Sequence, residues 1–215
     1  MATARVMSVS TGKVRDTSAA GGMPPMTAID KRPRRDRVAV RTLGLDGDEQ
    51  GDTVNHGGRD QAVYAYARED LDWWVERLGY ELRDGIFGEN VTTAGLDVTG
   101  AVIGETWRLG TAVVQVTSPR IPCATFQGWL DEERWVKRFA AAGRPGAYLR
   151  VLREGLAGPG DGIEVLSRPP VLVTLPESMR AYYGDAELMR KLLEVEGRGS
   201  KWDAISLRVL AQARA

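Results

Sequence analysis

The chain of 215 residues contains one cysteine and one histidine, and this scarcity excludes several kinds of site. A single cysteine cannot form a disulfide within the chain, which is typical of proteins from a reducing compartment. It also cannot hold an iron–sulfur cluster within the chain, because such clusters take about four thiolates. A zinc site is not expected, since half of its usual nitrogen and sulfur ligands would have to be replaced by carboxylates.

Net charge and long apolar runs are also lacking. The 29 basic and 29 acidic residues give a formal net charge of zero, so no overall field would attract nucleic acid or an anionic membrane. No apolar run approaches the roughly 20 residues that span a bilayer, and residues 1–10 lack the apolar core of a signal peptide. We therefore expect a soluble, cytoplasmic protein that binds neither nucleic acid nor membrane.

The distribution of apolar residues predicts a mainly β fold. Up to about residue 167, short alternating runs are separated by glycine and proline turns, a pattern typical of a largely closed β-barrel with a few helices. Within this part, residues 69–82 and 131–142 have the periodicity of amphipathic helices. We assign residues 1–168 to a barrel domain.

The character of the chain changes after the double proline Pro169-Pro170. Three helical patterns follow, at residues 176–183, 185–194 and 201–213, with apolar residues on one side of each. The sequence therefore predicts a small C-terminal domain of three helices, residues 171–215.

The single cysteine lies on a stiff turn that follows a strand. Residues 112–117 alternate as a strand does, and they lead into Ser118-Pro119-Arg120-Ile121-Pro122-Cys123. The two prolines end the strand and restrict the backbone that follows it. The nearby cation of Arg120 favours a thiolate, the form that attacks electrophiles or binds metals. A lone cysteine is also commonly a small buried apolar residue, and the turn alone does not decide between the two.

Other candidate site residues are hydrogen-bond donors at strand ends or in glycine turns. In a barrel, such positions can meet at one mouth. Donors around a soft sulfur suit an anionic, phosphate-bearing ligand with a soft metal. Each residue taken alone is also explained as a solvated charge or a turn cap. A nucleophilic pair of Cys123 and His56 is a further alternative. The candidates are Lys31, His56, Gly57, Gly58, Arg59, Asn90, Arg120 and Cys123.

Five ordered motifs resemble the MOSC family, which is named after the C-terminal domain of molybdenum cofactor sulfurases. The resemblance covers nearly the whole chain, and the helical tail is similar to that of the stand-alone bacterial YiiM-type subgroup. The family pattern has an aromatic residue and a lysine after the cysteine, where this chain has Ala124-Thr125-Phe126. The motifs are Gly47-Asp48 with Asn55-His56-Gly57-Gly58, then Phe87-Gly88-Glu89-Asn90, Pro119-Arg120-Ile121-Pro122-Cys123, Gly146-Ala147-Tyr148-Leu149-Arg150-Val151 and Gly160-Asp161.

The resemblance implies a β-barrel that binds the molybdenum cofactor, Mo-molybdopterin. Cys123 would be the catalytic residue and the protein ligand to the metal, while Arg120, His56 and Asn90 would line the pterin and metal pocket. Lys31 would help to hold the anionic part of the cofactor. Members of the YiiM-type subgroup are associated with the reduction of N-hydroxylated bases such as 6-hydroxylaminopurine, and so with their detoxification.

We therefore expect a molybdenum-dependent oxidoreductase that acts on a small N-hydroxylated substrate. The chain has no cysteines for a cluster and no nucleotide-binding fingerprint, so a separate electron-transfer protein or reductase would have to supply electrons. Two alternatives use the same residues: a carrier of cofactor or sulfur on Cys123, and a structural barrel with an inactive pocket. The sequence does not decide whether the helical tail forms a homodimer or docks the electron donor.

Overall fold

The computed structural model describes residues 3–17, 26–51 and 57–213, and it is mainly β. The strands are β1 (Arg5–Thr11), β2 (Arg15–Asp16), β3 (Met26–Thr27), β4 (Arg32–Arg34), β5 (Val38–Arg41), β6 (Gly44–Leu45), β7 (Val63–Ala67), β8 (Val91–Ala94), β9 (Thr106–Leu109), β10 (Ala112–Pro119), β11 (Ala147–Arg153), β12 (Gly155–Ala157) and β13 (Ile163–Ser167). The helices are α1 (Arg68–Leu78), α2 (Ala124–Leu130), α3 (Trp135–Ala142), α4 (Leu175–Tyr182), α5 (Ala186–Leu193) and α6 (Lys201–Gln212), and a 3₁₀ helix spans Arg59–Gln61.

The main sheet has eight strands in the order β13-β9-β10-β11-β7-β8-β1-β4. Its ladder has two ends, so among the described residues strand pairing does not close the predicted barrel. The end at β4 is exposed and contains Pro33, which has no backbone N–H to donate to a further strand. Val6 nevertheless donates to the carbonyl of Asp161 and accepts from Gly160 N, both at 2.9 Å. The mainly β prediction is confirmed, but the sheet is open and only curls until β1 meets the turn before β13.

Strand β10 leads to the cysteine turn and shows why these residues form a strand. Val114 and Val116 are buried in the core, while Val113 and Gln115, which alternate with them, are only half-buried. This period of two is that of a strand with one face on the core. The strand pairs with β9 on one side and β11 on the other, which fixes the position at which the chain leaves the sheet.

The three predicted C-terminal helices are present and pack onto the sheet. Helix α4 begins with a capping box, in which Thr174 N donates to Glu177 Oε2 at 2.8 Å and Glu177 N donates to Thr174 Oγ at 3.3 Å. Apolar residues of the three helices belong to the same hydrophobic cluster as the sheet. The division of the chain at Pro169-Pro170 stays a prediction. Among the described residues, no helix is both long and apolar enough to span a bilayer.

Gly146, just before β11, allows that strand to lie close to β7. Its φ is 65°, and a Cβ atom there would lie 2.6 Å from Tyr66 Cδ2 and 2.7 Å from Ala65 O. Gly143 has nearly the same φ, 64°, but its Cβ would meet nothing within 4 Å. The two glycines therefore have nearly the same φ but differ in the space around them.

Substitution by alanine separates backbone strain from overlap at these glycines. In both Gly143→Ala and Gly146→Ala, the alanine has to adopt a left-handed φ, which costs roughly 1–2 kcal/mol. Only Gly146→Ala adds overlap with β7, so we expect it to lower the free energy of unfolding by about 1–3 kcal/mol more. Urea unfolding of both variants measures the difference, and equal losses would contradict the close approach of β11 to β7.

Candidate functional site

A cavity of about 190 Å³ lies where the cysteine turn, the beginning of β7 and the loops around residues 26–31 and 48–51 meet. Five of the predicted site residues line it: Lys31, Gly57, Asn90, Arg120 and Cys123. Gly58 and Arg59 do not, because the chain turns into the 3₁₀ helix there and leaves Arg59 exposed. His56 lies outside the described residues.

Cys123 follows the cysteine turn and directly precedes α2. Its backbone is extended, with φ of −131° and ψ of 172°, and its carbonyl accepts the first hydrogen bond of the helix from Gln127 N at 3.1 Å. The residue is half-buried. Among the described residues, no group of three histidine, cysteine, aspartate or glutamate side chains could hold a metal ion.

Arg120 places a buried positive charge beside the cavity. The residue is only 7% exposed, and its guanidinium carbon lies 4.1 Å from the Phe126 ring centre and 5.1 Å from that of Tyr64. Burial by itself lowers the pKa of Arg120, but Tyr148, Tyr64 and Cys123 raise the pKa above its usual value. In the described part of the chain, no carboxylate lies within ion-pair distance of this guanidinium. A buried cation without such a partner favours an anionic ligand.

Lys31 and Asn90 share one acceptor, Asp48. Lys31 Nζ lies 2.5 and 2.7 Å from the two Asp48 oxygens, and Asn90 Nδ2 donates to Asp48 Oδ2 at 2.9 Å. Burial lowers the pKa of Lys31, and the ion pair with Asp48 opposes that shift. The charge of Lys31 is therefore balanced by a direct ion pair, whereas Arg120 has no such pair with a carboxylate among the described residues.

Asp48, Tyr64, Gln61 and Tyr148 also line the cavity and were not among the predicted site residues. The rings of Tyr64 and Tyr148 lie 4.9 Å apart, and burial raises the pKa of both phenols. Asp48 and Tyr148 belong to motifs on which the family resemblance rests, so the resemblance could have identified them as site residues. Tyr64 and Gln61 lie in or beside a strand without a local motif, and only the sheet pairing brings them to the cavity.

Glu89, next to Asn90, is a completely buried carboxyl group. It accepts hydrogen bonds from Gly85 N at 2.5 Å, Phe87 N at 2.9 Å and Thr92 Oγ at 3.1 Å. Burial raises the pKa of Glu89 to about 7, although these hydrogen bonds oppose the shift. The carboxyl thus holds the turn that carries Asn90 at the edge of the cavity.

Because of Glu89, the free energy of unfolding is expected to decrease as the pH rises. Below pH 4.5, the ordinary pKa of a glutamate, the carboxyl is protonated in both the folded and the unfolded chain. Between pH 4.5 and about pH 7, only the unfolded chain releases the proton. The free energy of unfolding should therefore fall by about 3 kcal/mol over this range, at roughly 1.4 kcal/mol per pKa unit, and then level off. Urea unfolding at intervals from about pH 4 to pH 8 measures it.

Glu89→Gln removes this titration, so its stability relative to wild type should improve as the pH rises. The variant is also less stable at low pH, because an amide nitrogen cannot accept the N–H of Phe87. Exposed Glu76 provides the control, since Glu76→Gln should follow the wild-type profile. A constant difference between Glu89→Gln and wild type at every pH would refute the shift.

Comparison with known proteins identifies relatives over nearly the whole chain. A family model described as the MOSC domain matches residues 52–164. The uncharacterized protein YflK of Bacillus subtilis is 36% identical over 202 residues, which are 93% of this chain and 91% of that protein. A protein named "Reductase" from Gibberella moniliformis is 32% identical over 168 residues, 76% of this chain but only 29% of that longer protein.

A solved structure has the same fold. The crystal structure of YiiM from Geobacillus stearothermophilus superposes with a TM-score of 0.79 at 27% sequence identity, covering 96% of this chain and 99% of that one. The similarity therefore includes both the sheet and the C-terminal helices.

Proposed function

Because the chain belongs to the MOSC domain family, we propose that it is a molybdenum-cofactor-dependent reductase of N-hydroxylated compounds, with Cys123 as the protein ligand to the metal. The observation that carries the proposal is the buried guanidinium of Arg120 on the cavity that Cys123 also lines. A relative that carries the name "Reductase" supports the class of reaction.

The residues around the cavity fit such a cofactor by their chemistry. Cys123 offers a soft sulfur, which suits molybdenum better than a hard cation. Arg120 offers a cation with several N–H donors, which suits an anionic pterin cofactor with a terminal phosphate. Lys31, held by Asp48, adds a second cation that lines the cavity, whereas the Asn90 amide donates both of its N–H bonds within the protein, to Ser10 O and Asp48 Oδ2.

When bound, the cofactor would supply the two-electron chemistry that breaks the N–O bond, so that R–NHOH, two electrons and two protons give R–NH₂ and water. The protein's own contribution is position and charge. The turn between the two prolines holds Cys123 at the cavity, and Arg120 favours its thiolate form. Lys31 would orient the polar part of the cofactor, and Asn90 would hold Asp48, the partner of Lys31, in place. The electrons come from a separate electron-transfer protein.

Two measurements on protein from a host that makes the cofactor test the proposal. We expect near-stoichiometric molybdenum and pterin, and reduction of 6-hydroxylaminopurine to adenine when reduced benzyl viologen serves as the artificial donor. Metal without turnover would instead indicate a carrier of the cofactor, and the absence of both metal and turnover would refute the proposal. Activity with NAD(P)H alone would contradict the need for a separate donor protein.

A further inference from the structure

The turn of residues 85–90 connects the buried carboxyl group of Glu89 to the wall of the cavity. Gly88 and Asn90 line the cavity, whereas Glu89 between them does not and is completely buried. In the part of the chain that the structure describes, no cationic nitrogen lies within ion-pair distance of this carboxyl group. A buried carboxylate without such a partner is costly, because it has lost its hydration. Its protonation therefore responds to any change of charge nearby.

Phe87 links Glu89 to Arg120. The N–H of Phe87 donates to Glu89 Oε2 at 2.9 Å, and the carbonyl of Phe87 accepts from Arg120 Nη1 at 2.5 Å. One residue thus holds the carboxyl group on one side and the guanidinium on the other. The two groups also interact through their opposite charges, although they do not touch. Each of them favours the charged form of the other.

Among the described cations that face Glu89, Arg120 is the one that a bound anion would neutralise. The other two are already paired with aspartates of the protein, Lys31 with Asp48 and Arg83 with Asp30. An anion on Arg120 would cancel the support that the guanidinium gives to the carboxylate and would itself repel the carboxylate. Both effects favour the protonated form of Glu89. The remaining titratable groups that face Glu89 are Asp84, Tyr64 and Tyr66.

We propose that binding of an anion to Arg120 in the cavity is coupled to the uptake of one proton by Glu89, which makes Glu89 a positioning residue for the anion-binding group. The inference rests on the anion-binding role proposed for Arg120, but it requires neither molybdenum nor turnover. Because coupling is reciprocal, the anion binds more tightly when Glu89 is protonated. Since the pKa of Glu89 is about 7, the affinity is highest below this pH and falls as the pH rises above it.

Sulfate is a suitable probe, because it stays a dianion at every pH used. Calorimetric titration of the cofactor-free full chain measures its affinity, which we expect to fall by about tenfold between about pH 5.5 and about pH 9. In cationic buffers that differ in ionisation enthalpy, titration near pH 7.5 should show uptake of about half a proton per bound sulfate. This amount follows from a tenfold coupling, which moves the pKa of Glu89 from about 7 to about one unit higher in the complex.

Variants assign the proton to one group. Glu89→Gln resembles the protonated carboxyl group, so its sulfate affinity should not depend on pH and its proton uptake should be close to zero. His56→Asn and Cys123→Ser remove the groups with ordinary pKa values of about 6.5 and 8.5, and both should keep the wild-type pH dependence. Exposed Glu76→Gln should keep it as well. A pH dependence that is lost in His56→Asn or Cys123→Ser but kept in Glu89→Gln would overturn the proposal.

The result for wild type decides the question even if Glu89→Gln does not fold. Sulfate binding without proton uptake would overturn the coupling, even in a protein that proves to be a molybdenum-dependent reductase. Proton-coupled sulfate binding in a protein that never holds molybdenum would uphold the coupling and refute the reductase. Failure of sulfate to bind, or equal binding by Arg120→Met, would also overturn the coupling, because the anion would then not lie on Arg120.

Discussion

Cys123→Ser is expected to lower the molybdenum content of the purified protein by at least about tenfold, and to abolish reduction of 6-hydroxylaminopurine. A serine hydroxyl is a hard, neutral ligand at neutral pH, whereas the soft thiolate is the form that binds molybdenum. Metal analysis of wild type and variant from the same cofactor-producing host measures the loss.

The fold should tolerate this substitution, which makes the result interpretable. Cys123 is half-buried and precedes α2 with an extended backbone that serine also adopts. We therefore expect the melting temperatures of the cofactor-free wild type and variant to agree closely. Thr42→Ser, on an exposed turn outside the cavity, is the control for a conservative hydroxyl change. Full molybdenum content in Cys123→Ser would show that the cysteine is not the ligand.

Most helices and strands were predictable because their periodicities are long and their ends are marked. Helices α4 to α6 lie within one or two residues of their predicted positions, since a double proline and capping residues bracket them. The predicted helix over residues 131–142 was too long at its start, because Asp131 and Arg134 have positive φ values of 53° and 56°. Non-glycine residues in this conformation leave no mark in the sequence.

The open sheet could not be read from the strand pattern. Alternation within a strand indicates which face is buried, but it does not say whether the first and last strands pair. The short edge strand with Pro33 and the single bridge between Arg5 and Gly162 decide that question through tertiary contacts.

Most of the site residues that were predicted lie on one cavity, although their roles stay predictions. Asn90, Arg120 and Cys123 come from quoted motifs, whereas Lys31 was chosen for its position at the end of a predicted strand. Arg59 was chosen for its place beside two glycines, and the 3₁₀ turn leaves its side chain exposed.

Arg120→Met is expected to reduce retention of the cofactor by about ten- to a hundredfold, the loss that follows from removing charge-assisted hydrogen bonds worth roughly 1.5–3 kcal/mol. Arg120→Lys keeps the charge but lacks the planar fork of donors, so its retention should be intermediate. Molybdenum and pterin that remain after dialysis measure retention. The same changes at Arg108, an exposed residue paired with Glu164 on the sheet surface, should leave retention unchanged.

The free energy of unfolding of the cofactor-free protein shows whether Arg120 binds the ligand or stabilises the fold. Arg120→Met leaves the carbonyl of Phe87 without its 2.5 Å hydrogen bond, which costs about 1–3 kcal/mol. It also removes a buried cation that has no carboxylate partner among the described residues, and the two effects oppose each other. We therefore expect the free energy of unfolding to change by only about 1 kcal/mol. A loss of about 3–5 kcal/mol, the effect of breaking a buried ion pair, together with full retention of the cofactor would make Arg120 a structural residue and leave the cavity without its anion-binding group.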